Sequence, residues 1–186
     1  MIPLQRIEEF AAAWYRTLDL HAPIEQCVSM LAETGLHMHF PDGDIQDFAT
    51  FKCWYSRVTK VFFDERHTVR HLEVINRTDE EATIKVVVDW RATWWNTKST
   101  SKGEWFIGQI CGFLGVRRDR PEGVSPSAAR NGVYLESTQT WTVRRCSAAK
   151  NVFGLEIVQY SASAEDFNFA PGSSDLPPLT SSGYRS

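Results

Sequence analysis

Cysteine is scarce in this 186-residue chain, where Cys27, Cys53, Cys111 and Cys146 stand far apart with no CxxC pair and no zinc-type spacing. That excludes a recognisable disulfide framework or zinc module and leaves reduced thiols as the expectation. Long apolar runs are missing too. No stretch approaches the roughly 18 residues of a membrane span, and "MIPLQRIEEF" puts an acidic pair where a signal peptide needs its apolar core. A soluble, cytoplasmic protein is expected. There is no GxSxG nucleophile motif, and "GQICGFLG" lacks both a preceding strong strand and the Lys-Ser or Lys-Thr of a phosphate loop, so nucleotide binding is not supported. A net charge of -3 and a pI near 6.0 give no electrostatic reason to expect a nucleic-acid or membrane partner.

Aromatic residues are abundant. Seven Trp, five Tyr and eleven Phe bring them to 12% within a hydrophobic content of 42%, enough for one domain with a real core and a surplus that can line a ligand site. Ile7, Phe10, Ala11, Trp14, Tyr15 and Leu18 recur at steps of three and four, predicting a first helix that ends near Asp19. The run from Pro23 to Gly35 repeats that spacing and predicts a second. "LHMHF" reads as a short strand and "PDGD" as a turn. Asp47 suits the N-cap of a third helix with Phe48, Phe51, Trp54, Tyr55 and Val58 on one face. From about Arg66 the period changes to two. "RHTVRHLEVIN", "ATIKVVVDWRATWW", "VYLESTQTWTVRR" and "FGLEIVQYSASA" predict four antiparallel strands, giving an α+β domain.

Residues 96–132 interrupt this pattern with polar flanks around the apolar "EWFIGQICGFLGV", and carry six basic against three acidic residues. So long a connection suits a lid or an interface arm, with helix or strand left open. The expected organisation is a single domain over 1–170 containing this insertion, followed by a flexible tail over 171–186, "GSSDLPPLTSSGYRS" and its neighbours having too few apolar residues to pack.

Polar residues inside apolar strands are the candidate site. Asp89 stands among Val and Trp in "VVVDWRATWW", where a carboxylate facing a pocket would have its proton affinity raised and could act as a base. Alternation leaves a second reading open, an ion pair with Arg91 on the outer side of the sheet. His67 and His71, read as sharing a strand face, are poised for proton transfer, and His67 with Asp89 would make an acid/base dyad. Gln139, beside Ser137 and Trp141, puts an amide on an apolar face and suggests a ligand contact. Tyr15, Trp54 and Tyr55 lie on buried helix faces and serve either the core or a pocket. His37 and His39 lack a third ligand of recognisable spacing, so no metal is expected. Asp42 and Asp44 read as turn acids.

"EEFAAAWYRTLD", "FFDERHTVRHLEVI", "VVVDWRATWW", "STQTWTVRR" and "FGLEIVQYSAS" together resemble the nuclear transport factor 2-like superfamily, and within it the SnoaL-like polyketide cyclase, ketosteroid isomerase and scytalone dehydratase group, over about residues 5–164. The resemblance implies a cone-shaped curved antiparallel sheet packed against three N-terminal helices, the cystatin-like roll, around an apolar pocket. It places His67 like the histidine that begins the first long strand of scytalone dehydratase-like members, and Tyr15 like an aromatic hydroxyl on the first helix. The expected function is cofactor-independent proton-transfer chemistry on an apolar secondary metabolite, with Asp89, His67 and Tyr15 catalytic and Tyr55, Trp54, Arg91, Gln139, Trp141 and His71 binding substrate. A homodimer through the sheet and insertion is the expected assembly. The alternatives are a non-catalytic ligand-binding or dimerisation module and the small structural subunit of an oxygenase.

Overall fold

The computed structural model describes residues 1–40, 43–95, 130–162 and 167–169. Helix α1 spans Leu4–Asp19, and its Ile7, Phe10, Ala11, Trp14 and Tyr15 are buried, as their spacing requires. Helix α2 covers only Ile24–Ser29. The apolar period continues beyond it, but Leu31 makes a parallel bridge to Ile157, and the Ala32 N–H donates to the Ile157 carbonyl at 2.9 Å. Backbone bonds to the sheet replace those of a continuing helix, a tertiary override of local propensity. Helix α3 spans Phe48–Val61, and the Asp47 carboxylate accepts from the Thr50 N–H at its start.

Among the described residues, one seven-stranded mixed sheet carries the fold. Its strands are β1 (His37–Phe40), β2 (Gly43–Ile45), β3 (Phe63–Arg77), β4 (Glu81–Trp95), β5 (Arg130–Arg145), β6 (Leu155–Ser161) and β7 (Phe167–Phe169). The order is β2-β1-β6-β5-β4-β3, with β7 pairing separately to β5. Strands β3 to β6 form the expected antiparallel meander, whereas β1 joins β6 in parallel. Strand β7 was not foreseen. The last three residues of the expected insertion, 130–132, belong to β5, while 96–129 and the tail from 171 lie outside the described residues.

Period-two alternation gives the meander two faces. Ile84↔Trp141, Val86↔Gln139 and Val88↔Ser137 stack across β4 and β5 on the buried face. Lys85↔Thr140, Val87↔Thr138, Asp89↔Glu136 and Arg91↔Tyr134 lie on the other. The buried face packs against the helices, and each large apolar side chain enclosed there contributes about 1.5–3 kcal/mol. Strand β3 is irregular. Its register with β4 shifts between Phe63 and Arg66, between Val69 and His71, and between Val74 and Asn76. Such bulges bend a strand and reverse which residues face inward.

Candidate active site

The inner face collects polar groups where α1 ends and β3 begins. Asp19, the last residue of α1, accepts from both the backbone N–H and the ring Nδ1–H of His67, at 2.9 and 2.6 Å to the same Oδ1. The carboxylate can only accept, so Nδ1 carries the proton and Nε2 is the nitrogen left to face a ligand. The ring of His67 stacks on Tyr15 at 5.1 Å and lies 6.3 Å from Trp90. The pair is enclosed yet reachable, with side chains 11% and 21% exposed for His67 and Asp19.

Two residues along on each segment, the pairing repeats with the partners exchanged. Glu65 on β3 meets Nε2 of His21, just beyond α1, at 2.5 Å, and its other oxygen accepts from the Trp90 indole N–H at 3.1 Å. His21 holds this position with φ +47°, a left-handed conformation uncommon outside glycine.

Beside the first pair lies a hydrogen-bond hub. The Oε1 of Gln139 accepts from the hydroxyls of Tyr15 at 2.8 Å and Tyr160 at 2.6 Å, and more distantly from the Trp141 indole at 3.3 Å. Its Nε2 reaches Ser137 Oγ at 3.4 Å. Burial pushes both tyrosine hydroxyls well above their ordinary proton affinity, so both remain donors. Tyr55 sits apart: its hydroxyl donates to the Ala22 carbonyl at 2.8 Å, beneath the turn that carries His21.

The expected His67–Asp89 dyad is not formed. His67 pairs across the strands with Trp90, whereas Asp89 pairs with Thr68 and points to the outer face. There it meets Arg70 Nε at 2.5 Å and the Tyr134 hydroxyl at 2.8 Å. The partner of the buried Asp89 is therefore the exposed Arg70, not Arg91, which lies exposed beside Tyr134 on that face. His71 is also corrected: the bulge at Arg70 turns it outward, opposite Val87, away from His67. Trp141 is fully buried core, and Trp54 stacks on Phe40 at 4.3 Å. His39 bonds Asp44 across the β1–β2 hairpin at 2.6 Å, on the surface. No group of three metal-ligating side chains occurs among the described residues.

Asp19, His21, Glu65 and Tyr160 were not singled out from the sequence. A signal for Asp19 was present, because a carboxylate in the last turn of a helix opposes the macrodipole and needs another reason to be there. Glu65 and His67 also carry a period-two polar repeat into the start of a strand.

No family model matches the chain, and no curated protein matches it by sequence. Solved structures match its shape. A candidate scytalone dehydratase of Novosphingobium aromaticivorans superposes with a TM-score of 0.58 at 11% identity, covering 90% of this chain and 83% of that one. A nuclear transport factor 2-like superfamily protein of Salmonella enterica gives 0.55 at 13%, covering 97% and 96%. The hub of the S. rosetta CaMKII gives 0.54 at 10%, covering 90% and 97%. Curved sheet, helices and near-complete coverage agree, and the fold of this chain is that of the nuclear transport factor 2-like proteins.

Proposed function

We propose that the chain is a cofactor-independent enzyme that moves protons on an apolar small molecule, in the class of isomerisation, cyclisation or dehydration. One observation carries this reading: Asp19 fixes both the tautomer and the orientation of His67, on an inner face lined by aromatic rings and still within reach of solvent. Nε2 then takes a proton from a carbon acid, and the imidazolium formed is stabilised by Asp19 at 2.6 Å. Tyr15 stacks on the imidazole and is itself held by Gln139, so the ring cannot tip away from this geometry. The fold admits such chemistry, as the dehydratase-like neighbour illustrates, but the residues are this chain's own.

The test is hydrogen exchange at the α-carbon of a cyclic ketone such as α-tetralone, followed by NMR in deuterated buffer. The wild-type protein is expected to accelerate exchange, and His67→Ala to lose about 10²–10⁴-fold of that acceleration. Exchange at the buffer rate, or an unaffected His67→Ala, refutes the proposal.

A second reading concerns assembly. The outer sheet face presents Tyr134, 40% exposed, beside the Arg70–Asp89 pair, and a hub domain shares the fold. Pairing of two copies through this face is compatible with an inner-face site. Light scattering of the wild type and Tyr134→Glu tests it: a dimer converted to monomer supports it, and a wild-type monomer removes it.

A further inference from the structure

The second imidazole–carboxylate pair is more deeply enclosed than the first. His21 and Glu65 side chains are 6% and 5% exposed, against 11% and 21% for His67 and Asp19. Both oxygens of Glu65 are engaged as acceptors, one by Trp90 and one by His21. Nε2 is therefore the nitrogen that donates to the carboxylate, and in a neutral ring Nδ1 presents a lone pair. That nitrogen is buried and has no hydrogen-bond partner among the described residues. Buried polar atoms are nearly always satisfied. Here a left-handed backbone, a carboxylate and an indole all hold an imidazole whose outer nitrogen bonds to nothing among the described residues.

We propose that His21 Nδ1 is a ligand subsite, accepting a hydrogen bond from the hydroxyl of a flat, neutral phenol or enol. This rests on the proposed inner-face site and extends it from His67 to a second contact. The chemistry of the surroundings selects the class. A lone pair demands a donor. The Glu65 carboxylate bonded to the same ring disfavours an anion. The neighbouring surfaces are rings: Trp90 meets Phe62 edge-on at 5.2 Å and lies beside His67, which stacks on Tyr15. A phenolic or enolic hydroxyl on a planar body satisfies all three conditions.

The experiment uses the full chain with ¹⁵N-labelled histidine and two probes, 2-naphthol and naphthalene, which share a ring system but not the hydroxyl. 2-Naphthol is expected to move the Nδ1 resonance of His21 and to bind about tenfold more tightly than naphthalene. His21→Asn, chosen because asparagine tolerates the left-handed backbone, should erase that preference and leave naphthalene binding unchanged. Glu65→Gln provides a second variant: its amide donates to Nε2, moves the ring proton to Nδ1, and should also abolish the preference. An unmoved His21 signal with a shifted His67 signal overturns this inference alone, since ketone exchange reports separately on the proposed function. Equal affinity for the two probes, or no binding of either, also overturns it.

Discussion

Replacing Gln139 by leucine keeps the volume of the side chain but removes the acceptor on which Tyr15, Tyr160 and Trp141 converge. All four residues are buried, at 6%, 2%, 4% and 0% exposure respectively. The two tyrosine hydroxyls lose bonds of 2.8 and 2.6 Å, and the indole loses a long contact of 3.3 Å. Each orphaned buried donor costs about 1–3 kcal/mol, and the indole contributes little because its contact is already weak. The expected destabilisation is about 3–5 kcal/mol, a large share of the roughly 5–15 kcal/mol that holds a domain together. Urea unfolding followed by tryptophan fluorescence measures it, with the midpoint falling by about 1.5–2.5 M at a slope near 2 kcal/mol/M. The triple variant Gln139→Leu, Tyr15→Phe, Tyr160→Phe removes donors and acceptor together and should regain much of the loss, since deleting both sides of a buried bond is far milder than deleting one. A single variant within about 1 kcal/mol of wild type, or a triple variant less stable than the single, refutes the hub.

Asp89→Asn is expected to leave ketone exchange within about twofold of wild type, because Asp89 occupies the opposite face from His67; a loss comparable to that of His67→Ala would return it to the site. Burial alone would raise the carboxyl of Glu156, but Lys150 at 2.7 Å and Arg144 together hold it below its ordinary value of 4.5. Its stabilising contribution is therefore present above pH 4.5 and disappears as the pH falls through the lower folded value. Thermal unfolding of Glu156→Gln should consequently flatten with pH in that acid window, and a pH profile parallel to wild type would contradict this. Tyr55→Phe deletes the bond to the Ala22 carbonyl and should cost about 1 kcal/mol; because that carbonyl adjoins His21, the His21 ring resonances should shift while those of His67 stay put.

Much of the scaffold was legible because its signals are local. The face of α1, the Asp47 cap and the existence of the four long strands, though not their limits, follow from residues within a turn or two of each other. Gln139 was correctly read as an inward amide because Leu135, Trp141 and Val143 mark its side of β5. The side taken by Asp89 was hidden, since Val86, Val87 and Val88 are apolar on both faces of β4 and the alternation gives no sign. The bulge at Arg70 had no glycine to announce it, so His71 was assigned to the face of His67. Helix α2 stopped early because β6 competes for its backbone. The carboxylate partners of the two histidines escaped for a different reason: 48 and 44 residues separate each pair, and only the closure of α1 onto β3 brings them together.

The β4–β5 ladder runs without a register shift from Glu81↔Arg144 to Trp95↔Arg130. At roughly 3.3 Å per residue such a ladder is near 50 Å long, and the backbones at its far end are held about 5 Å apart. Whatever residues 96–129 do, their two attachment points are clamped by the hairpin itself. A two-residue Asn-Gly link could replace the whole stretch without disturbing the pairing, and a foreign peptide or domain could be spliced there. The hairpin is in that sense a handle, and since His67 pairs with Trp90 and Phe63 with Thr93, the inner-face histidines sit toward the end of β4 that holds it.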